Sequence, residues 1–277
     1  MSRDAVAPPL PPPPLAAVRA RLAASPAVRT LAPFLPLVVL WAVVVELEVF
    51  PRAFFPGPLD VVRAGAALVY KGILPVHLQD SLTRLATGAA VGIVVGIPLG
   101  VLVGLHRVAY RLAWPLVVFF QAIGDIAWLP ILLVWFGFSL TTMTVVIVYT
   151  VVFPIIFNAA LGVRTVPQDL VRAAQMLGAS PLRVLTEVLL PGALPNIVTG
   201  LRNGLGYGWR ALIAAEIIVG TSGIGFMMFD ARRQGSVVEM LLGMILLGVL
   251  WSVVDGALLT PLERATVERW GLTRRVE

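Results

Sequence analysis

The sequence predicts an all-α membrane protein with six transmembrane helices, and its composition and its long apolar segments support that prediction. Hydrophobic residues make up 58% of the 277 residues and charged residues 13%, against roughly 45–50% and about 25% in soluble domains. A soluble fold of about 300 residues buries only about 75% of its surface, which leaves too little interior for this apolar content. The composition therefore excludes a soluble enzyme and a nucleic-acid-binding domain, although the net charge is +6.

Six apolar segments are long enough to cross the roughly 30 Å hydrocarbon layer as helices. The predicted spans are 31–50, 82–105, 113–136, 141–162, 194–219 and 239–261. We expect residues 1–30 to form a cytoplasmic, disordered leader, because the proline-rich stretch 8–14 cannot be helical. Residues 262–277 are expected to form a cytoplasmic tail after a transmembrane domain that covers 31–261.

The arginine distribution predicts the orientation. Thirteen of the 21 Lys and Arg residues fall on the side of the termini in this six-span arrangement, and six fall on the other side. Because positive residues collect in cytoplasmic loops, we expect both termini in the cytoplasm. The chain has no cysteine and only two histidines, so no metal site is expected.

Glycines recur every four residues along one side of the second predicted span. Small residues at this spacing allow helix backbones to approach closely in lipid, so helix packing is the favoured role. Lining of a transport path is the alternative. The stripe consists of Gly88, Gly92, Gly96, Gly100 and Gly104.

Arg210 and Glu216 are charged residues inside the fifth predicted span. They are six residues, about 240°, apart on a helix, so they need partners other than each other. Asp125 and Asp255 are possible partners for Arg210. A buried pair between helices and the lining of a path both remain open. The candidate path residues are Arg210, Glu216, Trp128 and Asn203.

A polar segment between predicted spans four and five, about 163–191, forms the most informative pattern in the chain. It reads as two short amphipathic helices with a break from Gly178 to Pro181. Ser180 is placed to cap the second helix, and Pro181 occupies its first position. A helical elbow of this kind, with small residues facing outward, is typical of a docking surface for another protein.

The spacing within this elbow resembles the EAA signature of the membrane subunits of ABC importers. That signature runs Glu-Ala-Ala, three residues, Gly, nine residues, Ile-x-Leu-Pro, and Arg172 stands here in place of the Glu. The matching positions are Ala173, Ala174, Gly178, Val188, Leu190 and Pro191.

Further segments resemble the branch of this family that imports nitrate, sulfonates, taurine, bicarbonate and thiamine-precursor pyrimidines. They occur in the family's order over nearly the whole chain after residue 30. These segments are Phe55-Pro56-Gly57-Pro58, Ser81-Leu82-x-Arg84, Gly96-Ile97-Pro98-Leu99-Gly100, Ala127-Trp128-Leu129-Pro130, Trp135-Phe136-Gly137, Gly200-Leu201-Arg202, Ala215-Glu216 and Gly220-Thr221-Ser222-Gly223-Ile224-Gly225.

The resemblance implies a type I ABC-importer permease in a bacterial inner membrane, working on a small, anionic or organic solute. It implies three partners: a cytoplasmic ATPase dimer, an extracytoplasmic solute-binding protein, and a second permease copy that forms a homodimer. The chain lacks a P-loop sequence, so ATP and Mg are expected on the ATPase and no cofactor on this non-enzymatic subunit. The residues expected to couple to the ATPase are Arg172, Ala173, Ala174, Gly178, Ala179, Ser180, Pro181, Leu182, Arg183, Leu185 and Pro191.

The alternatives to an ABC permease are other membrane proteins. An ion-coupled carrier or channel would transport without an ATPase. An intramembrane serine protease could use the Gly-x-Ser-Gly string at Gly220–Gly223, but no histidine follows His106 to act as its base. An intramembrane aspartyl protease could use Asp125 and Asp255, but neither lies in a Gly-x-Gly-Asp sequence.

Overall fold

The computed structural model describes residues 32–264 and 266, so the predicted leader and most of the predicted tail lie outside the described residues. Every regular element within this part of the chain is a helix. The helices are α1 (Phe34–Glu46), α2 (Pro58–Tyr70), α3 (Ile73–Leu105), α4 (Arg107–Ala122), α5 (Asp125–Phe136), α6 (Leu140–Thr165), α7 (Gln168–Met176), α8 (Pro181–Val219), α9 (Ile224–Arg233) and α10 (Val237–Glu263).

Four helices are long and apolar enough to cross a membrane: α3, α6, α8 and α10. Helices α4 and α5 would together make a fifth span, although they are bent by 88° at the break between them. Helix α1, which covers most of the first predicted span, has only 13 residues. The all-α membrane fold is confirmed, whereas the predicted count of six spans is not.

Three predicted spans were wrong in their boundaries, because backbone geometry, rather than hydropathy, decides where a helix begins and stops. The second span, predicted from 82, lies on a helix that begins at Ile73. The predicted span 113–136 is interrupted at Ile123 and Gly124, whose backbones are extended (ψ 109° and 143°). The fifth predicted span begins at Pro181 instead of 194, since the second elbow helix runs into it through a π-helical turn, Leu185–Leu189.

Residues 32–62 form a compact unit of their own. Within it, the indole Nε1 of Trp41 donates a 3.0 Å hydrogen bond to the carbonyl of Pro56. The carboxylate of Asp60 accepts a 3.0 Å hydrogen bond from the backbone N–H of Gly57, which caps the beginning of α2.

Helix α6 is the centre of the second unit, which begins at Arg63. It packs between α3 and α8, and Ile147, Val151 and Ile155 on it are fully buried. The glycine stripe of α3 lies against these residues: a Cβ at Gly92 would lie 2.7 Å from Val151 Cγ1. Helix α8 approaches from the other side, where a Cβ at Gly208 would lie 2.7 Å from Val151 Cγ2.

Helices α3, α6 and α8 are therefore held at backbone distances that only glycine permits. All five members of the predicted stripe have such contacts with α6, at distances of 2.5–2.9 Å from a built Cβ. The second glycine face was not singled out from the sequence. It consists of Gly200, Gly204 and Gly208.

Candidate functional site

The elbow between α6 and α8 is shaped by one glycine and one serine. Gly178 has a φ of +84°, a conformation that side chains of L-residues rarely adopt, and it ends α7. The N–H of Ala179 donates to the carbonyl of Ala174 at 3.0 Å. The hydroxyl of Ser180 then accepts from the N–H of Arg183 at 3.4 Å, and Pro181 occupies the first position of α8.

The outer face of the elbow is apolar and open. Met176 and Leu177 are 88% and 89% exposed, and Leu182 is 69% exposed. No heavy atom lies within 4 Å of a Cβ built at Gly178, so its backbone conformation, rather than contact within the chain, requires glycine there. Exposed apolar side chains clustered at the end of short helices indicate a protein-binding surface.

The other residues predicted to couple to an ATPase lie around this apolar face. Arg172, in the position of the family Glu, is exposed and lies 3.8 Å from Asp169 on the same helix. Arg183 pairs with Glu187 at 3.1 Å, also on the surface. The structure places Ala173 and Pro181 on the surface, with Ala174, Ala179, Leu185 and Pro191 half-buried.

A polar stripe follows one face of α8 and ends at a cavity. Asn203, Tyr207 and Arg210, spaced by four and three residues, are all exposed on this face. The cavity has a volume of about 490 Å³, and its walls come from α6, from α8 and from the break between α4 and α5. A discontinuous helix beside a cavity is a common feature of solute sites in transporters.

Several cavity residues are fixed by hydrogen bonds to backbone. The hydroxyl of Tyr149 donates to the carbonyl of Phe120 and lies 3.3 Å from that of Ile123, so it satisfies carbonyl groups at the helix break. The guanidinium carbon of Arg210 lies 4.8 Å from the ring centroid of Tyr207. Asp125 occupies the first position of α5 and also lines the cavity.

Trp128 does not line this cavity and instead packs behind it. Its ring lies 5.4 Å from that of Tyr149 and 6.3 Å from that of Phe120, measured between centroids. Its Nε1 is buried and has no hydrogen-bond partner among the residues described. Of the four candidate path residues, Arg210 lines the cavity and Asn203 lies on the stripe that leads to it.

Glu216 is fully buried at the far end of α8, where it accepts hydrogen bonds from three groups. Arg84 Nη1 donates to its Oε1 at 2.9 Å, and the backbone N–H of Gly225 donates to its Oε2 at 3.0 Å. The Ser81 hydroxyl donates to the carboxylate and lies 2.8 and 2.9 Å from its two oxygens. Pairing, rather than lining of an open path, is therefore the role that the structure gives Glu216.

The same cluster holds the segment Gly220–Gly225, here called the glycine strap. The guanidinium of Arg84 donates to the carbonyl of Ser222 at 2.7 Å and to its hydroxyl at 2.6 Å. Ser81 Oγ accepts from the N–H of Ile224, and His77 Nδ1 accepts from the N–H of Gly223. Three of the family-like segments of the sequence, on α3, α8 and the strap, thus meet in one buried cluster.

The predicted partners of Arg210 were wrong. Asp255 pairs with Arg202 at 2.7 Å, and Glu263 lies on the other side of the same guanidinium at 2.5 Å. Arg202 lies two helical turns before Arg210 on α8. The register between α8 and α10 places Asp255 beside Arg202 rather than beside Arg210. Across residues 32–264, no carboxylate oxygen lies within 4.0 Å of the Arg210 guanidinium.

Sequence reasoning missed Tyr149 and Tyr207 as cavity residues. The spacing of Tyr207 from Asn203 and Arg210 could have revealed it, since the three residues share a helical face. No local signal marks Tyr149, because its position depends on the helix break on the opposite wall.

Comparison with known proteins agrees with this arrangement. Residues 92–262 match the family described as the binding-protein-dependent transport system inner membrane component. Over 219 residues the chain is 34% identical to the taurine transport system permease protein TauC of Escherichia coli (strain K12), covering 77% of this chain and 80% of that protein. It is 41% identical over 176 residues to the bicarbonate transport system permease protein CmpB of Synechococcus elongatus, covering 63% of each.

The fold is also similar to a solved structure. A chain of the inward-facing MetNI methionine ABC transporter superposes with a TM-score of 0.58 at 24% identity, covering 69% of this chain and 94% of that chain. The helical fold, the elbow and the family match therefore lead to one identification. The chain belongs to the family of inner-membrane components of binding-protein-dependent transport systems, and it is the permease subunit of an ABC importer, not an enzyme.

Proposed function

We propose that the elbow, residues 168–190, is the surface on which a cytoplasmic ATPase docks. The observation that carries this proposal is the exposure of Met176 and Leu177, at 88% and 89%, on a short helix whose end is fixed by Gly178. Burial of two such side chains against a partner would contribute roughly 1.5–3 kcal/mol each. ATP and Mg would bind the partner, since this sequence has no P-loop.

The elbow is continuous with a membrane span, so docking at the elbow would act on that span. Helix α8 runs from Pro181 to Val219 as one helix that starts in the elbow and carries the polar stripe. A movement of the elbow would therefore move Asn203, Tyr207 and Arg210, which we propose as part of the solute path. The path would open alternately to the two sides of the membrane.

The assembly that we propose has two copies of this permease, two ATPase subunits and an extracytoplasmic binding protein that delivers the solute. Both termini would be cytoplasmic, as the arginine distribution indicates. The solute would be small and anionic or organic, in the range of those named for relatives, which include taurine and bicarbonate.

A single charge on the elbow tests the docking. Leu177→Asp places a carboxylate in the proposed apolar interface, and we expect it to abolish both ATPase co-purification and ATP-driven uptake in membrane vesicles. Thr141→Asp is the matched control, because it adds the same charge at an exposed position outside the elbow, in the first turn of α6, where an acidic residue suits the helix dipole. Normal ATPase binding by the Leu177 variant would refute the proposed docking surface.

A further inference from the structure

Two oppositely charged side chains line the cavity beside α8 without forming an ion pair with each other. Arg210 comes from α8 and Asp125 from the first turn of α5, and both line the cavity of about 490 Å³. Among the residues that the structure describes, Arg210 makes one side-chain hydrogen bond, a 3.4 Å contact from Nε to the carbonyl of Gly206. Its four remaining N–H groups are free to bind a solute.

Asp125 is equally available. Its carboxylate accepts no hydrogen bond from another residue of the range 32–264, and it lies more than 4.0 Å from the guanidinium of Arg210. A charged group inside a membrane span is costly unless it is solvated or paired. A ligand with one positive and one negative group would satisfy both side chains at once, whereas a simple anion would pair with Arg210 and be repelled by Asp125.

The remainder of the cavity wall suits a short carbon chain. Tyr149 and Phe153 on α6 and Tyr207 on α8 contribute aromatic rings to the lining. Tyr149 is held in place because its hydroxyl is bonded to backbone at the helix break. The volume falls in the range of about 300–1,000 Å³ that is usual for small-molecule sites, which exceeds what an inorganic anion needs.

We propose that this cavity binds the solute in transit and selects short aminoalkyl sulfonates or carboxylates over inorganic anions. Arg210 binds the anionic group, Asp125 binds the ammonium group, and the aromatic wall contacts the methylene groups between them. The inference rests on the proposed function and extends it, because the permease itself would then discriminate among solutes that a binding protein delivers.

Binding to the purified permease–ATPase complex, without the binding protein, tests this selectivity directly. The probes are taurine, ethanesulfonate, which has the same anionic group but no ammonium, and sodium nitrate, all at equal ionic strength. Titration calorimetry should show that taurine binds at least about tenfold more tightly than ethanesulfonate. The affinity for taurine should exceed that for nitrate by an even larger factor. Equal affinities for taurine and ethanesulfonate would overturn the proposal.

Variants assign the selectivity to the two side chains. We expect Asp125→Asn to bind taurine and ethanesulfonate equally, Arg210→Ala to bind neither, and Arg210→Lys to retain part of the taurine affinity. Arg111→Ala is the matched control, since Arg111 is also exposed but lies outside the cavity, and it should bind like the parent. Parental selectivity in Asp125→Asn would refute the role of that carboxylate.

The same preparations separate this inference from the proposed function. If the ATPase co-purifies and hydrolyses ATP but taurine does not bind, the cavity proposal fails and the elbow proposal stands. If taurine binds with the expected selectivity while Leu177→Asp still binds the ATPase, the elbow proposal fails and the cavity proposal stands.

Discussion

Arg84 and Glu216 form a buried ion pair, with 2.9 Å between Nη1 and Oε1, although 132 residues separate them in sequence. Their side chains are 10% and 1% exposed. The pair joins α3 to α8, and the hydrogen bonds from Arg84 to Ser222 attach the glycine strap to both helices. These two side chains therefore determine how three segments meet.

Removing the carboxylate should destabilise the permease. We expect Glu216→Ala to lower the free energy of unfolding by up to about 3–5 kcal/mol, because it leaves the buried Arg84 charge with only the longer, 3.8 Å contact to Asp80 as an ion pair. Thermal unfolding in detergent measures the effect. Glu187→Ala is the control, since it breaks the exposed pair with Arg183 and should change stability by at most about 1 kcal/mol. Equal losses in the two variants would contradict the structural role of the buried pair.

The glycine strap should be intolerant of even one methyl group at Gly223. This residue has a φ of +108°, and a Cβ there would overlap the carboxylate of Glu216. Gly223→Ala should therefore cost more than the roughly 1–3 kcal/mol of backbone strain alone. Gly137→Ala is the comparison, because Gly137 has a similar backbone conformation (φ +67°, ψ −168°) but nothing within 4 Å of a built Cβ. Unfolding temperatures that fall equally would show that strain, rather than the overlap with Glu216, limits the strap.

The contact between α3 and α6 gives a third prediction. A Cβ at Gly100 would lie 2.6 Å from Cβ of Ala159 and 2.8 Å from the carbonyl oxygen of Ile156. Gly100→Ala should separate the helices and lower stability by about 1–3 kcal/mol. Gly248→Ala on α10, with nothing within 4 Å, should be neutral or slightly stabilising. A stable Gly100 variant, measured by thermal unfolding, would mean that the two helices are not in close contact.

The proposed orientation can be tested by cysteine labelling, because the chain has no native cysteine. We expect Ser180→Cys on the elbow to react with a membrane-impermeant maleimide only from the cytoplasmic side. Ser236→Cys, between α9 and α10, should react only from the opposite side. Labelling of intact cells and of inverted vesicles distinguishes the two sides, and the reverse pattern would overturn the orientation.

Local patterns in the sequence were sufficient to predict the elbow and the glycine stripe. Gly178, Ser180 and Pro181 each affect the backbone within three residues, so their spacing predicts where α7 stops and α8 starts. The stripe at Gly88–Gly104 has a helical period that is visible within one segment. Both features depend on residues close in sequence, where conformational preferences act directly.

Pairing between distant helices could not be predicted in the same way. No local pattern reveals the register between α8 and α10, so Asp255 remains only one of two possible partners of Arg210 in the sequence, whereas in the structure it pairs with Arg202. The cluster of Ser81, Arg84 and Glu216 depends on the same kind of information. The break between α4 and α5 was missed for a different reason, since the average hydropathy of the segment hides the two extended residues Ile123 and Gly124.

The uninterrupted course of α8 has a mechanical consequence. Its 39 residues make a rod about 58 Å long, with the elbow at one end and Glu216 near the other. Because glycine contacts join α8 to α6 and the Arg84–Glu216 pair joins it to α3, a tilt of about 5° at the elbow would move the three helices together and displace their far ends by about 5 Å. The π-helical turn at Leu185–Leu189 lies near the fulcrum of that tilt. In the proposed coupling, a small rotation of the elbow would thus become a displacement as wide as a small solute.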